Sequence, residues 1–328
     1  MRITPPLLLA SLVMLLACAS FGGDTASEDS ADTGTPAVDL LFVIDNSDSM
    51  QEEATELAGS LELLEDALAD AGVTTWRAGI TTSSVFYDDG PTADIDPGEA
   101  GTLVGGTTVA TVAELREHLL CGATCWDQSM PSDPDYVCGD ALVGAPSEEY
   151  LDCECGAGVW RGNCGTGQEQ PIEAAYIAMC RTMESPPEDC YTFTGSAAVA
   201  FEEGDERSNV GLGDVATLVI VVSDEGDSSL RTESGEAAAP GDVDTVVNAY
   251  TALFAALPNA VRVSTIGPAW DGTDGSCLNA AQEWGVDRYL GLAASTDGFY
   301  EPLTDMDGDC APRPMDAIVA AIATAAAE

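Results

Sequence analysis

Lysine is absent from the 328 residues, and histidine occurs once, at His118. All ten cationic side chains are therefore arginine, set against 57 Asp and Glu for a formal net charge of −47. A surface of that sign repels phosphate backbones and anionic membranes, which excludes a nucleic-acid partner. One imidazole also leaves no His-rich zinc site, and any Ser–His–Asp triad would have to be built on His118. That residue sits in Glu114-Leu115-Arg116-Glu117-His118-Leu119, a charged helical stretch, and reads as a surface or partner-paired side chain. No glycine loop for phosphate is present either, since Gly105-Gly106 follows no buried strand and opens no helix. The apolar run Leu7–Ala17, roughly eleven residues, is too short to span a bilayer. What is there is ordinary for a globular chain: 45% apolar and 20% charged residues. The acidity is thus not that of a disordered tail. Arginine without lysine beside so many acids fits a surface adapted to high salt, and GC-rich coding bias accounts for it equally well.

Arg2 and the apolar run end in Leu15-Leu16-Ala17-Cys18-Ala19. This resembles a bacterial lipoprotein signal, which implies cleavage before Cys18 and lipid attachment to it; an ordinary signal peptide cut elsewhere is the alternative. Residues 1–17 are then the signal, 18–37 an acidic flexible tether, and 38–328 the folded domain. The expected location is the cell envelope, exported and lipid-anchored, with Ala19 after the cysteine favouring the outer membrane. The cysteines agree. Eleven minus Cys18 leaves ten, an even number suited to disulfides in an oxidising compartment. Cys121, Cys125, Cys138, Cys153, Cys155 and Cys164 crowd one segment, Cys180 and Cys190 follow, and Cys277 and Cys310 stand apart near the C-terminus. Cys121-x3-Cys125 and Cys153-x-Cys155 lack zinc-ribbon spacing.

From residue 38 onward, β-rich apolar runs alternate with helical patterns, which predicts an α/β fold on a mostly parallel sheet. Val38–Asp45 reads as a strand buried on both faces, followed by a helix over Gln51–Ala71 with Leu57, Leu61, Leu64 and Leu68 at helical spacing. Further strands are expected at Thr74–Thr82, Val215–Val222, Val261–Ile266 and Gly298–Leu303. Helices are expected at Val112–Leu120, Val243–Leu257, Asp287–Ser295 and Met315–Ala327. Between about residues 85 and 165 the pattern dissolves into Gly, Pro, Asp and Cys, which reads as a disulfide-stapled insertion and not a second domain.

Two of the buried strands end in acids. One runs into Asp45-Asn46-Ser47-Asp48-Ser49, a D-x-S-x-S sequence before a helix, and the other into Ser223-Asp224-Glu225-Gly226-Asp227. Ligands of open α/β sheets bind beyond the carboxyl ends of the strands. Hydroxyl and carboxylate oxygens gathered there suit a hard divalent ion, Mg²⁺ or Mn²⁺, with Ca²⁺ as a further candidate. These residues resemble the metal-ion-dependent adhesion site of the von Willebrand factor type A (vWA) domain family. The resemblance implies a doubly wound, mostly parallel sheet with helices on both faces. It also implies an ion held by Asp45, Ser47, Ser49 and Asp224, and a binding function in which an acidic side chain of a protein partner completes the coordination. Asp45 and Asp224 would then hold the ion, often through water. The family's threonine falls on Glu169, counted back from Ala174-Ala175, with Thr166 three residues earlier; a carboxylate there departs from the family pattern.

Other readings of the same residues stay open. Ser49-Met50-Gln51-Glu52 fits a capping box. Glu169 also fits a first-turn acid favoured by the helix dipole. Asp305-Met306-Asp307-Gly308-Asp309 resembles a calcium loop but has Cys310 where the EF-hand needs glycine. Glu52-Glu53 and Asp88-Asp89 read as solvated faces. Two alternative functions remain beside a non-enzymatic binding module. One is a metal-assisted hydrolase using the same acids. The other is a purely structural envelope lipoprotein.

Overall fold

The fold was analysed in a computed structural model that describes residues 38–85, 100–126, 148–155, 169–191, 204–232, 237–239, 241–269, 283–303, 313 and 315–328. Its five strands are β1 (Val38–Ile44), β2 (Trp76–Thr82), β3 (Thr217–Val222), β4 (Val261–Gly267) and β5 (Tyr300–Pro302). They form one sheet in the order β2-β1-β3-β4-β5, every neighbouring pair parallel. The helices are α1 (Gln51–Ser60), α2 (Glu62–Asp70), α3 (Val112–His118), α4 (Glu148–Cys155), α5 (Pro171–Cys180), α6 (Val243–Ala255), α7 (Glu283–Ser295) and α8 (Met315–Ala327).

All seven residues of β1 and all six of β3 are buried, as continuous apolar runs require of strands covered on both faces. The period of two divides β1 between two hydrophobic clusters. Leu40, Phe42 and Ile44 pack with Leu57, Leu64 and Leu68 of α1 and α2 and with Ile318 and Ile322 of α8. Leu41 and Val43 pack with Ile172 and Tyr176 of α5, Val246 and Phe254 of α6, and Tyr289 of α7. Each fully buried Leu, Ile or Phe contributes about 1.5–3 kcal/mol.

The expected helix over Gln51–Ala71 is two helices. Leu61 interrupts it just after Gly59-Ser60, and the Leu64 amide reaches back three residues to the Leu61 carbonyl at 2.8 Å. A Gly/Ser pair is a usual cause of such a kink, and the four leucines keep one face because the break is shallow. Within the insertion, α3 is capped by Thr111, whose hydroxyl oxygen accepts the Glu114 amide at 3.3 Å. The helix α4 was not anticipated in a segment so rich in Gly and Pro. A Cys121–Cys155 disulfide ties it to the turn that follows α3, and Cys180–Cys190 ties the end of α5 to the next turn. Cys125 and Cys153 are also disulfide-bonded. Cys18, Cys138, Cys164, Cys277, Cys310, Thr166, Asp88-Asp89 and the Asp305–Asp309 loop lie outside the described residues. Among the described residues no helix is long and apolar enough to cross a membrane.

Sheet order and register position the site. The chain adds β2 on one side of β1 and then places β3 on the other, so the order reverses between β1 and β3. Ile44 lies opposite both Thr82 and Val222. The three strands therefore end level, and the loops after them leave the sheet side by side.

Candidate metal centre

Asp45 is the first residue past β1 and is wholly buried. Its Oδ1 accepts the Ser47 amide at 2.9 Å, an Asx turn that bends the loop back over the strand end. Its Oδ2 accepts the Ser223 hydroxyl at 2.5 Å, from the end of β3. The Ser47 and Ser49 hydroxyl oxygens lie 2.9 Å apart in the 3-10 turn that precedes α1. Ser49 does not act as a helix cap: Met50 occupies the cap position of α1 and no side chain bonds there. Capping and ion ligation compete for the same hydroxyl, and here Ser49 turns toward Ser47.

Glu169 arrives from the segment before α5 and is also buried. It precedes Pro171 at the first helical position by two residues, so it is not in the first turn of the helix. Its Oε2 accepts the Ser83 hydroxyl from the loop after β2, and its Oε1 is buried with no hydrogen-bond partner. The Gln170 amide bonds the Ser83 carbonyl at 3.1 Å, which anchors this segment to the β2 loop. Asp224, next to Ser223, is half-buried, and its amide donates to the Met50 sulfur at 3.1 Å.

The acids act on one another. Burial pushes the Asp45 carboxyl up to about 7; hydrogen bonds from Ser223 and Ser47 oppose the rise and the charge of Asp224 adds to it. Burial pushes Glu169 up to about 8, helped by the charges of Asp45, Glu225 and Asp224 and opposed by Ser83. Glu53 on α1, read from sequence as solvated, is half-buried and rises to about 7 through burial; a backbone hydrogen bond opposes the rise and the charge of Asp224 adds to it. Carboxylates crowded in this way need protons or a cation between them.

Of the five residues expected at the site, Asp45, Ser47 and Ser49 share one loop, while Glu169 and Asp224 come from two others and act on Asp45 electrostatically. Among the described residues, no three His, Cys, Asp or Glu side chains alone are arranged to hold a metal ion. A D-x-S-x-S site draws on hydroxyl oxygens as well as acids. Ser47 and Ser49 set two hydroxyl oxygens side by side, and Glu169 keeps one buried oxygen without a hydrogen-bond partner; oxygen donors of these kinds suit a hard divalent cation. Ser83 and Ser223, which orient Glu169 and Asp45, escaped the sequence reading, as did the burial of Glu53. The serines lie beside predicted strand ends, but which acids they reach depends on strand order.

No protein-family model matches the chain, and no curated protein is similar to it in sequence. Among solved structures, the conserved hypothetical protein BatB from Bacteroides thetaiotaomicron aligns over 89% of this chain and 100% of its own, with 13% identity and a TM-score of 0.33. A likeness that weak carries no argument about this chain.

Proposed function

We propose that this protein is a divalent-cation-dependent binding module of vWA type, exported and held to the cell envelope by lipid on Cys18, and that it is not an enzyme. What supports the reading is the loop of Asp45, Ser47 and Ser49 at the point where strand order reverses, with Asp224 and the buried, half-satisfied Glu169 close enough to act electrostatically on the same acids. The two hydrophobic clusters support the doubly wound arrangement that this reading needs.

Ser47 and Ser49 would ligate the ion, with Asp45 and Asp224 holding it and Glu169 adding a third carboxylate. Both oxygens of Asp45 are already engaged by Ser47 and Ser223, which suits a carboxylate that acts through water. Few, hard oxygen donors that leave room for water favour Mg²⁺ or Mn²⁺, with Ca²⁺ a further candidate. When bound, the ion supplies a local positive charge on a surface of net charge −47. An acidic side chain of a protein partner would then dock by completing the ion's coordination.

Calorimetric titration of Mg²⁺, Mn²⁺ and Ca²⁺ into the chelator-treated protein, with Asp45→Asn alongside, tests the reading. One saturable site, tightest for Mg²⁺ or Mn²⁺ and lost in the variant, is expected. An isotherm indifferent to Asp45 would reduce the loop to a turn of no binding consequence.

A further inference from the structure

The start of α5 is capped from outside its own segment. Pro171 has no amide to cap, and the Gln170 side chain makes no cap bond. The next two orphan amides are taken by the loop after β3. Ile172 donates to Asp227 Oδ1 at 3.3 Å, and Glu173 donates to the Ser229 hydroxyl oxygen at 3.0 Å. A third bond reaches the site residue itself, from the Ser228 amide to the Glu169 carbonyl at 2.8 Å.

That capping loop is rigid for reasons of its own. Asp227 is fully buried, and both its oxygens are used locally: Oδ1 accepts the Ser229 hydroxyl at 2.6 Å and Oδ2 the Ser229 amide at 3.0 Å. Arg288 of α7 lies 3.5 Å from Asp227 Oδ2 and also donates to the Ser229 carbonyl at 2.6 Å. Gly285 lets α7 press this closely, since a Cβ there would come within 2.6 Å of the Asp227 nitrogen. Four residues past Asp227, Arg231 closes a second clamp by pairing with Glu173 through both carboxylate oxygens.

We propose that Asp227 is a positioning residue for the ion site: by capping α5 in trans it makes the β3 loop and the start of α5 one rigid unit, so that Asp224 and Glu169 reach the ion at a fixed separation. The proposal rests on the ion-site reading above. Its chemistry is specific to an acid. A carboxylate can accept the Ile172 amide, the Ser229 hydroxyl and the Ser229 amide together, and Arg288 at 3.5 Å offsets part of its charge.

The test compares Asp227→Ala with Asp242→Ala. Asp242 caps α6 through the Thr245 amide, and its bonds stay within its own turn. Ser229→Ala is a milder second variant should Asp227→Ala fail to fold. Hydrogen exchange on the chelator-treated proteins and Mg²⁺ affinity by calorimetry are both read. Faster exchange at residues 169–174 and 223–229 together, with Mg²⁺ affinity down about 10–100-fold as for loss of a group that orients metal ligands, is expected for the Asp227 or Ser229 variant. Asp242→Ala should change neither. Loosening confined to α5, or an unchanged Mg²⁺ affinity, overturns the proposal. A wild-type protein that takes up no divalent ion overturns the ion reading instead, and the exchange data then still decide whether the loop and α5 move as one.

Discussion

Two sets of buried carboxylates divide this protein. Asp39, Glu173 and Asp227 each face an arginine: Arg77 at 2.6 Å, Arg231 at 2.5 Å and Arg288 at 3.5 Å. Asp45 and Glu169 are equally buried, yet what reaches them are serine hydroxyls and one amide. The chain has only ten arginines for 57 acids, and those just named neutralise acids that brace the framework. Asp45 and Glu169 instead keep uncharged hydrogen-bond donors around them, one at the end of β1 and the other bonded to the loop after β2. A buried charge with a matched partner is tolerable, and one without it is costly. The second set makes sense where a mobile cation supplies the missing charge.

The largest expected effect comes from breaking the paired set. Arg231→Ala strands Glu173 among Tyr176 and Tyr250 and should cost about 3–5 kcal/mol in a urea titration. A loss under about 1 kcal/mol would mean that the Arg231 pair does not brace the framework. In the second set, Ser223→Ala leaves the ligands in place but releases Asp45 Oδ2, and should weaken Mg²⁺ about 10–100-fold in calorimetry.

Next comes pH. In chelator, Asp45 and Glu169 titrate near 7 and 8 when folded, well above ordinary values of 3.8 and 4.5. The folded state thus binds more protons, so the stability tied to these groups is present below about pH 4 and is lost as pH rises through 7–8. Thermal melts of the chelated protein should fall over that range, Glu169→Gln should flatten the fall, and saturating Mg²⁺ should offset it. A melt that rises with pH in chelator would remove these two acids from the argument. The smallest effect is at the surface: Arg207→Ala breaks an exposed pair with Glu184 and should cost no more than about 0.2–1 kcal/mol, screened by salt.

Much of the framework could be read from sequence because it is local. The run Val38–Ile44 is apolar at every position but Asp39, and the D-x-S-x-S loop and Asp224 stand at strand ends by simple adjacency. Counting back from small residues reaches Glu169, on whose carboxyl the charge of Asp45 acts. The arginine pairs were not legible. Asp39 and Arg77 are 38 residues apart, Glu173 and Arg231 are 58 apart, and no local period links them. The shallow break at Leu61 escaped notice because it leaves the leucine face intact, and α4 because its helical stretch lies among residues that favour loops.

The candidate site has a further consequence, for the order of events in folding. Its parts are joined by contacts 86 and 178 residues apart, between Ser83 and Glu169 and between Asp45 and Ser223. A chain that ends before β3 lacks Ser223 and Asp224, so the candidate site is complete only once β1, β2 and β3 are aligned. An ion that binds there arrives last and stabilises only the finished state. It should leave the folding rate almost untouched and slow unfolding, acting as a latch on the folded state.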